Sequence, residues 1–284
     1  MNDQRNQVWT EFGADYHLGH GPLRSCVLVW QELGSHTWQI WIIFKAGFAA
    51  TFRQKIFGIA WGFVMPLVPL LAFFFLTLLR VFPTHETIHP LTYMAVGTTL
   101  WLYLHGLVVA PAAAVQKHAS VLKSSGFPMI CLFAASYGRL AFDMAVRIAA
   151  ITPFLLVLDN VSVRGLMALA ALLIPASAFA MALGILLGLG GAVLKDLENV
   201  VDIILRYLVF VSFAIFPISR EGLGWWLYTF NPFAIFIDNL RNVLVVGNLA
   251  TPWHLGLVSV FAIVLLVSVL HLYSVLERRV AGAL

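Results

Sequence analysis

Apolar residues fall along this chain in long, nearly uninterrupted stretches. A helix needs about 20 such residues to cross a hydrocarbon core about 30 Å thick. The strands of a membrane barrel instead alternate over about ten. Six stretches of the first kind predict spans at about 57–81, 91–114, 129–158, 166–193, 200–217 and 255–275. The predicted fold class is an all-α polytopic membrane protein with six transmembrane helices, its membrane domain covering 57–284. Ahead of the first span, Trp38, Trp41, Phe44, Phe48 and Phe52 recur at three- and four-residue steps, one face of a helix. Lys45, Thr51, Arg53, Gln54 and Lys55 supply its polar side. This predicts an amphipathic interface helix over 34–56 that runs directly into the first span. Residues 1–33 are mixed and polar, and Gly19, Gly21 and Pro22 interrupt any helix, so a loose cytosolic extension is expected there.

The stretch 218–254, between the fifth and sixth spans, is not a polar loop. Trp225, Trp226, Tyr228, Phe230, Phe233 and Phe236 crowd it, and Asn231-Pro232 breaks it. Proline stops a helix and biases the preceding residue toward extended geometry. Two short apolar helices meeting at that break predict a re-entrant helical hairpin. The other reading is an aromatic belt lying on the surface.

Composition supports the membrane assignment. The chain is 61% hydrophobic and 11% charged, against about 45–50% and about 25% for soluble domains. Its net charge of +4 is too small to suggest nucleic acid. With the N-terminus inside, the cytosolic segments hold Arg5, Arg24, Lys45, Arg53, Lys55, Lys117, Lys123, Lys195, Arg278 and Arg279. The outer segments hold only Arg80, Arg164, Arg220 and Arg241. The positive-inside rule therefore predicts that both termini are cytosolic. Cys26 and Cys131 fall on the cytosolic side, where a disulfide would not persist. No cleavable signal peptide is evident.

No Gly-x4-Gly-Lys-[Ser/Thr] run is present, so active transport would draw on a gradient or a partner ATPase. Arg139 and Arg147 stand four residues either side of Asp143, and Arg206 stands four after Asp202. On a helix these share a face. Intramembrane ion pairs are the expectation, either fixing helix packing or lining a cytosolic entrance. His17, His20, His85 and His89 form no metal-ligand set. Trp61, Phe63, Phe73, Trp101, Tyr103, Tyr207 and Phe210 are candidate channel-lining aromatics, suited to stacking on sugars. Taken singly, each is better explained as a core or lipid contact. The basic loop after the second span carries Gln116, Lys117, Ser120 and Lys123 and stops at Gly126 and Pro128. It is either a helix that docks on a soluble partner or a connector. Unpaired acid or base groups facing a cavity, which an enzyme needs, are lacking, so no catalytic residue is expected.

Together these features resemble the permease subunit of ABC-2 type polysaccharide exporters, the family that exports O-antigen, capsule and teichoic acid. The resemblance covers roughly 34–280 and rests on ordered motifs. These are the aromatic helix, Phe52-Arg53-Gln54-Lys55 with Trp61 and Pro66, Lys123-Ser124-Ser125-Gly126-Phe127-Pro128, the Arg139/Asp143 pair, Lys195-Asp196, and Asn231-Pro232 with Arg241. The resemblance implies a homodimer in the bacterial plasma membrane, joined by two copies of a separate ATPase that binds ATP and Mg. This chain itself would hold no cofactor. Lys45, Arg53, Gln54 and Lys55 would guard a cytosolic entrance for a lipid headgroup, and 115–126 would couple to the ATPase. Trp225, Trp226, Tyr228, Asn231, Pro232 and Arg241 would form an outer gate. The substrate would be a lipid-linked polysaccharide, and a capsule system would add a periplasmic envelope protein. Lys195 stands where the family usually has arginine, and 1–33 have no counterpart. The alternatives are an ABC-2 exporter of a drug or lipid, and a membrane-embedded glycosyl- or acyltransferase.

Overall fold

The computed structural model describes residues 21–52, 71, 75, 79, 87–118, 122, 127–158, 163–194 and 196–283. Among these the regular structure is all helical, and no strand occurs. In chain order the helices are α1 (Pro22–Ser35), α2 (Thr37–Phe52), α3 (Pro90–Lys117), α4 (Met129–Leu158), α5 (Val163–Val193), α6 (Leu197–Val211), α7 (Leu223–Thr229), α8 (Pro232–Val245) and α9 (Pro252–Ala283). Four of them, α3, α4, α5 and α9, are long and apolar enough to cross a membrane. The chain is a helical membrane protein. The predicted first span, at 57–81, lies almost wholly outside the described residues.

Two elements differ from the sequence reading. Gly21 and Pro22 do not interrupt a helix but begin one. Gly21 is the N-cap of α1 and Pro22 its first residue, a place where a missing N–H costs nothing. The Gly21 carbonyl accepts from Arg24 N at 3.0 Å and Ser25 N at 3.2 Å. The predicted fifth span, 200–217, appears as α6 and stops at Val211. Its 15 residues rise only about 22 Å. Phe213, at φ +56°, turns the chain immediately afterwards.

α5 sits at the centre, packed against α3, α9, α8 and α6, while α3 also packs against α4. α2 lies along α4, and α1 lies along α9 and the start of α4. The α3–α5 crossing is close because Gly184 presents no side chain to it. A Cβ there would collide with the Leu107 carbonyl oxygen and come within 2.9 Å of the Tyr137 hydroxyl. Small residues allow this approach between membrane helices, where dispersion rather than water exclusion drives association.

α4 begins directly after Pro128, and its first amides find acceptors on the far end of the chain. Met129 N donates to Glu277 Oε1 at 2.9 Å, and Ile130 N donates to the Tyr273 hydroxyl at 3.0 Å. A carboxylate at a helix N-terminus also answers the positive end of its dipole. One end of the bundle is thereby tied together by α4 and α9.

α8 has the deepest position. Every residue from Phe233 to Arg241 is buried. Phe233, in its first turn, meets Trp101 at 5.5 Å and Phe179 at 5.2 Å between ring centroids, both near the middle of their helices. Its far end approaches the start of α5, where a Cβ on Gly165 would lie 2.6 Å from the Leu244 carbonyl oxygen. The Asn231–Pro232 corner is therefore deep in the bundle and the last turn of α8 is near its end.

Gly184→Val should destabilise the bundle by about 1–3 kcal/mol, the usual cost of overpacking. Gly256→Ala, which meets nothing within 4 Å, should leave stability unchanged or raise it by up to about 1 kcal/mol. Thermal melting of the detergent-purified protein compares the two, and equal melting temperatures would show that the α3–α5 crossing is not a tight one.

Candidate functional site

At the end of the bundle where α3 stops and α4 starts, a cleft of about 510 Å³ opens between α2, α3 and α4. Its walls are mostly apolar, with Ile42, Ile43, Ala110, Ala114, Leu132 and Leu140 among them. Lys117, His118, Ser136, Arg139 and Asp143 supply its polar groups. Arg139 Nη1 donates to the Gly47 carbonyl at 3.2 Å and so pins α2 to α4. Burial, with Lys117 beside it, pushes the His118 imidazole below its ordinary value and so favours its uncharged form. Two cations, Lys117 and Arg139, then face one carboxylate, Asp143.

Asp143 makes no ion pair within 4.0 Å among the described residues, in contrast to the pairing that its spacing suggested. The reason is local: Arg139 is turned to the Gly47 carbonyl instead. Asp202 is held as the spacing predicts, by Arg206 at 2.5 Å, and it also lies beside a residue that the sequence reading passed over. His105 on α3 brings Nε2 to 3.0 Å from Asp202 Oδ1, joining α3 to α6. A histidine within an apolar span was the available signal.

The aromatic candidates divide. Trp101 is 4% exposed and packs on Phe233, so it belongs to the core of the chain rather than to an open face. Tyr103 is half-buried, its hydroxyl 3.1 Å from Ser177 Oγ. Tyr207 and Phe210 are exposed on the outer face of α6, beside Val200, Ile203 and Ile204. Trp226 and Phe230 stack at 5.4 Å on the outside of α7, and Trp225 meets Trp226 edge-on. Trp226 and Phe230 border a second hollow of about 430 Å³ between α6, α7 and the start of α8.

The other outer-gate candidates are anchors of a buried polar network. Asn231 caps α8, its Oδ1 accepting from Phe233 N at 3.1 Å and Ala234 N at 3.3 Å. Its Nδ2 donates to the Val211 carbonyl and to Ser212 Oγ, tying the corner to the end of α6. Asp238, 2% exposed, accepts from Arg220 and from the Tyr228 hydroxyl. The Arg220 guanidinium also lies 4.4 Å from the Tyr228 ring centroid. Asn239 Nδ2 donates to Thr251 Oγ1, and Asn239 Oδ1 accepts from Thr251 N, each at 2.9 Å. Arg241 is fully buried, 3.4 Å from the Tyr93 ring centroid, with Nη2 donating to the Phe213 carbonyl at 2.6 Å. Its Nε and Nη1 have no hydrogen-bond partner among the described residues. Arg220, Asp238, Asn239 and Thr251 were missed as site residues, although charges inside an apolar segment are the standing signal for one.

Lys45 is exposed, its Nζ 4.9 Å from the Trp41 ring centroid. Gln116 and Lys117 are exposed on the last turn of α3. Arg53, Gln54, Lys55, Trp61, Phe63, Phe73, Ser120 and Lys123 lie outside the described residues. Leu122 and Phe127, which flank Lys123, are described: Leu122 is buried, and Phe127 meets His36 edge-on at 5.8 Å. The chain between α3 and α4 therefore touches the corner between α1 and α2.

A scan against protein-family models finds no match to this chain, and a search of curated proteins finds none either.

Arg220→Met should destabilise the protein by about 2–4 kcal/mol, because it strands a buried carboxylate. That reaches below the usual range of about 3–5 kcal/mol for a buried pair, since Arg220 is itself 40% exposed. Arg241→Met should cost only about 1 kcal/mol, because the new side chain keeps the contact with Tyr93 and leaves one carbonyl short of a donor. Chemical denaturation in detergent ranks the two, and a reversed order would remove the Arg220–Asp238 pair as the main anchor of α8.

Proposed function

We propose that this chain is the membrane subunit of an ABC-2 type exporter that carries a lipid-linked polysaccharide of the O-antigen, capsule or teichoic-acid kind out of the bacterial cytosol. It works as a homodimer beside two copies of a separate ATPase, which binds the ATP and Mg. In this reading 57–81 and α6 with the segment to Pro217 complete six spans, both termini are cytosolic, and α7–α8 is a re-entrant hairpin at the outer mouth. The deep Asn231–Pro232 corner supports the hairpin, as does the Asn231 side chain, which caps α8 and ties the corner to the Val211 carbonyl. Broken backbone at membrane depth is tolerable only where protein covers it.

The observation that carries the reading is the cleft between α2, α3 and α4. It brings together the aromatic helix, the end of α3 that leads into 115–126, and the side chains of Arg139 and Asp143. Apolar walls with a net cationic lining suit an amphiphile with an anionic linkage, such as a phosphate-joined lipid carrier. The same loop whose Phe127 meets His36 would receive the ATPase. A push on it therefore reaches both α2 and the cleft. The nucleotide state of the partner drives transport only through differential contact with two arrangements of this end. Tyr207 and Phe210 on α6, with Trp226 and Phe230 on α7, are the aromatics available to a passing sugar. The apolar walls of the cleft would also accept an acyl chain, which favours a lipid exporter of the same type as the second reading.

Lys117→Glu combined with Lys123→Glu should abolish co-purification of the ATPase and lower export at least tenfold, with the permease still in the membrane. Deleting the gene should remove surface glycan and leave lipid-linked polymer inside the cell. Unchanged coupling in the charge-reversed variant would remove the docking role, and normal surface glycan after deletion would overturn the polysaccharide reading.

A further inference from the structure

α1 carries a feature that the export reading does not use. At about 100° per residue, its side chains fall into three arcs, each spanning roughly a third or less of the circumference. Ser25 and Val29 are buried, on the arc that faces α9 and α4. Leu23, Val27 and Trp30, spaced four and three residues apart, occupy a second arc and are 76%, 54% and 77% exposed. Arg24, Gln31 and Ser35 occupy the third and are exposed. A helix docked on a soluble domain needs two such faces, one packed and one wet. Three faces in this order suit a helix held where protein, lipid and water meet.

Its depth is set by two contacts. Ser25 Oγ lies 2.9 Å from His271 Nδ1, within the last two turns of the Pro252–Glu277 candidate span. At the other end of α1, His36 meets Phe127, two residues before α4 begins. α1 therefore lies beside the level at which two candidate spans reach the end of the apolar layer. The outward apolar surface continues past His36 into α2, where Trp38, Trp41 and Ile42 are 69%, 47% and 47% exposed.

We infer that Pro22–Ser35 is an interfacial membrane helix whose Leu23–Val27–Trp30 face is seated in the headgroup–acyl boundary of the bilayer. The occupant of that face is lipid. Amphipathic helices of this kind bury their apolar side about 5–10 Å into the boundary, and tryptophan favours that depth. Because α1 is fastened to α9 through Ser25 and His271, the seat fixes the tilt of the end of α9 whose Tyr273 and Glu277 cap α4. This inference rests on the membrane-embedded character of the chain and not on what is transported.

The experiment uses the full chain in liposomes, with Cys26→Ser and Cys131→Ala as background. Nitroxide labels are placed singly through Leu23→Cys, Val27→Cys, Trp30→Cys, Arg24→Cys, Gln31→Cys and Ser35→Cys. All six positions are exposed, where substitutions are generally well tolerated. Collision with oxygen reports lipid, and collision with a water-soluble nickel chelate reports solvent. The expected result is an oxygen-to-nickel ratio several-fold higher at positions 23, 27 and 30 than at 24, 31 and 35. Equal ratios at the two sets would overturn the inference. Protection of 23, 27 and 30 from both probes would also overturn it, because another protein surface would then cover them. Neither result depends on export or on the ATPase.

Discussion

A carboxylate buried in an apolar bundle must have its charge answered, and the architecture of one half of this protein follows from how that is done at Asp238. In lipid or in a lipid-covered core, an isolated charge costs several kcal/mol, about the whole stability of a domain. Asp238 is answered by Arg220, by the Tyr228 hydroxyl and by Asn242 from its own helix. Those partners come from before α7, from α7 itself and from α8. The network therefore fixes the geometry of both short helices. Asn239 and Thr251 extend it to the start of α9, and Arg241 extends it to Tyr93 on α3 and to Phe213 after α6. Helices α3, α6, α7, α8 and α9 thus meet through one set of buried polar groups.

The other end of the bundle is organised by backbone ends rather than by buried charge. α4 follows a proline, whose side chain cannot cap it, so its first amides turn to Tyr273 and Glu277 on α9. α1 reaches the same neighbourhood through Ser25 and His271, and α2 through the Gly47 carbonyl and Arg139. The result is an end in which several helices lean on each other by single hydrogen bonds, with a cleft of about 510 Å³ among them. Each such contact contributes about 0.5–1.5 kcal/mol, or about 1.5–3 kcal/mol where one partner is charged. The export reading needs a mobile end facing a motor and a firmer end facing outward.

Much of the site lay in plain view along the chain, though not the roles of its residues. The Asn231-Pro232 break, the paired tryptophans and the Asp202/Arg206 spacing were legible because each depends on residues close in sequence. For Asp143 spacing gave the neighbours but not the contacts: Arg139 donates to a backbone carbonyl on another helix, and no arginine comes within 4.0 Å of the carboxylate among the described residues. Trp101 and Tyr103 have the composition of a sugar-stacking surface but face the core, and no local pattern distinguishes those two outcomes. The described part of the interface helix shows the same limit. The aromatic face of α2 packs in part on α4, where Phe48 meets Phe142 edge-on at 5.1 Å between centroids. The helix with separate packed, apolar and polar arcs is α1, within the segment that had seemed loose.

The sequence by itself determined that this is a helical membrane protein, and it placed the four long spans to within a few residues. That followed because lipid forces the backbone to satisfy itself within each segment, so apolar length alone predicts a helix. The place of each polar residue was decided only by tertiary structure. Whether Arg220 pairs with Asp238, whether Arg139 pairs with Asp143 or with a carbonyl, and whether His105 reaches Asp202 depend on which helices are neighbours. Helices in a membrane choose their neighbours by shape at positions such as Gly184, Gly165 and Gly97. There the partner is a backbone many residues away, and its approach leaves no periodic mark in the chain.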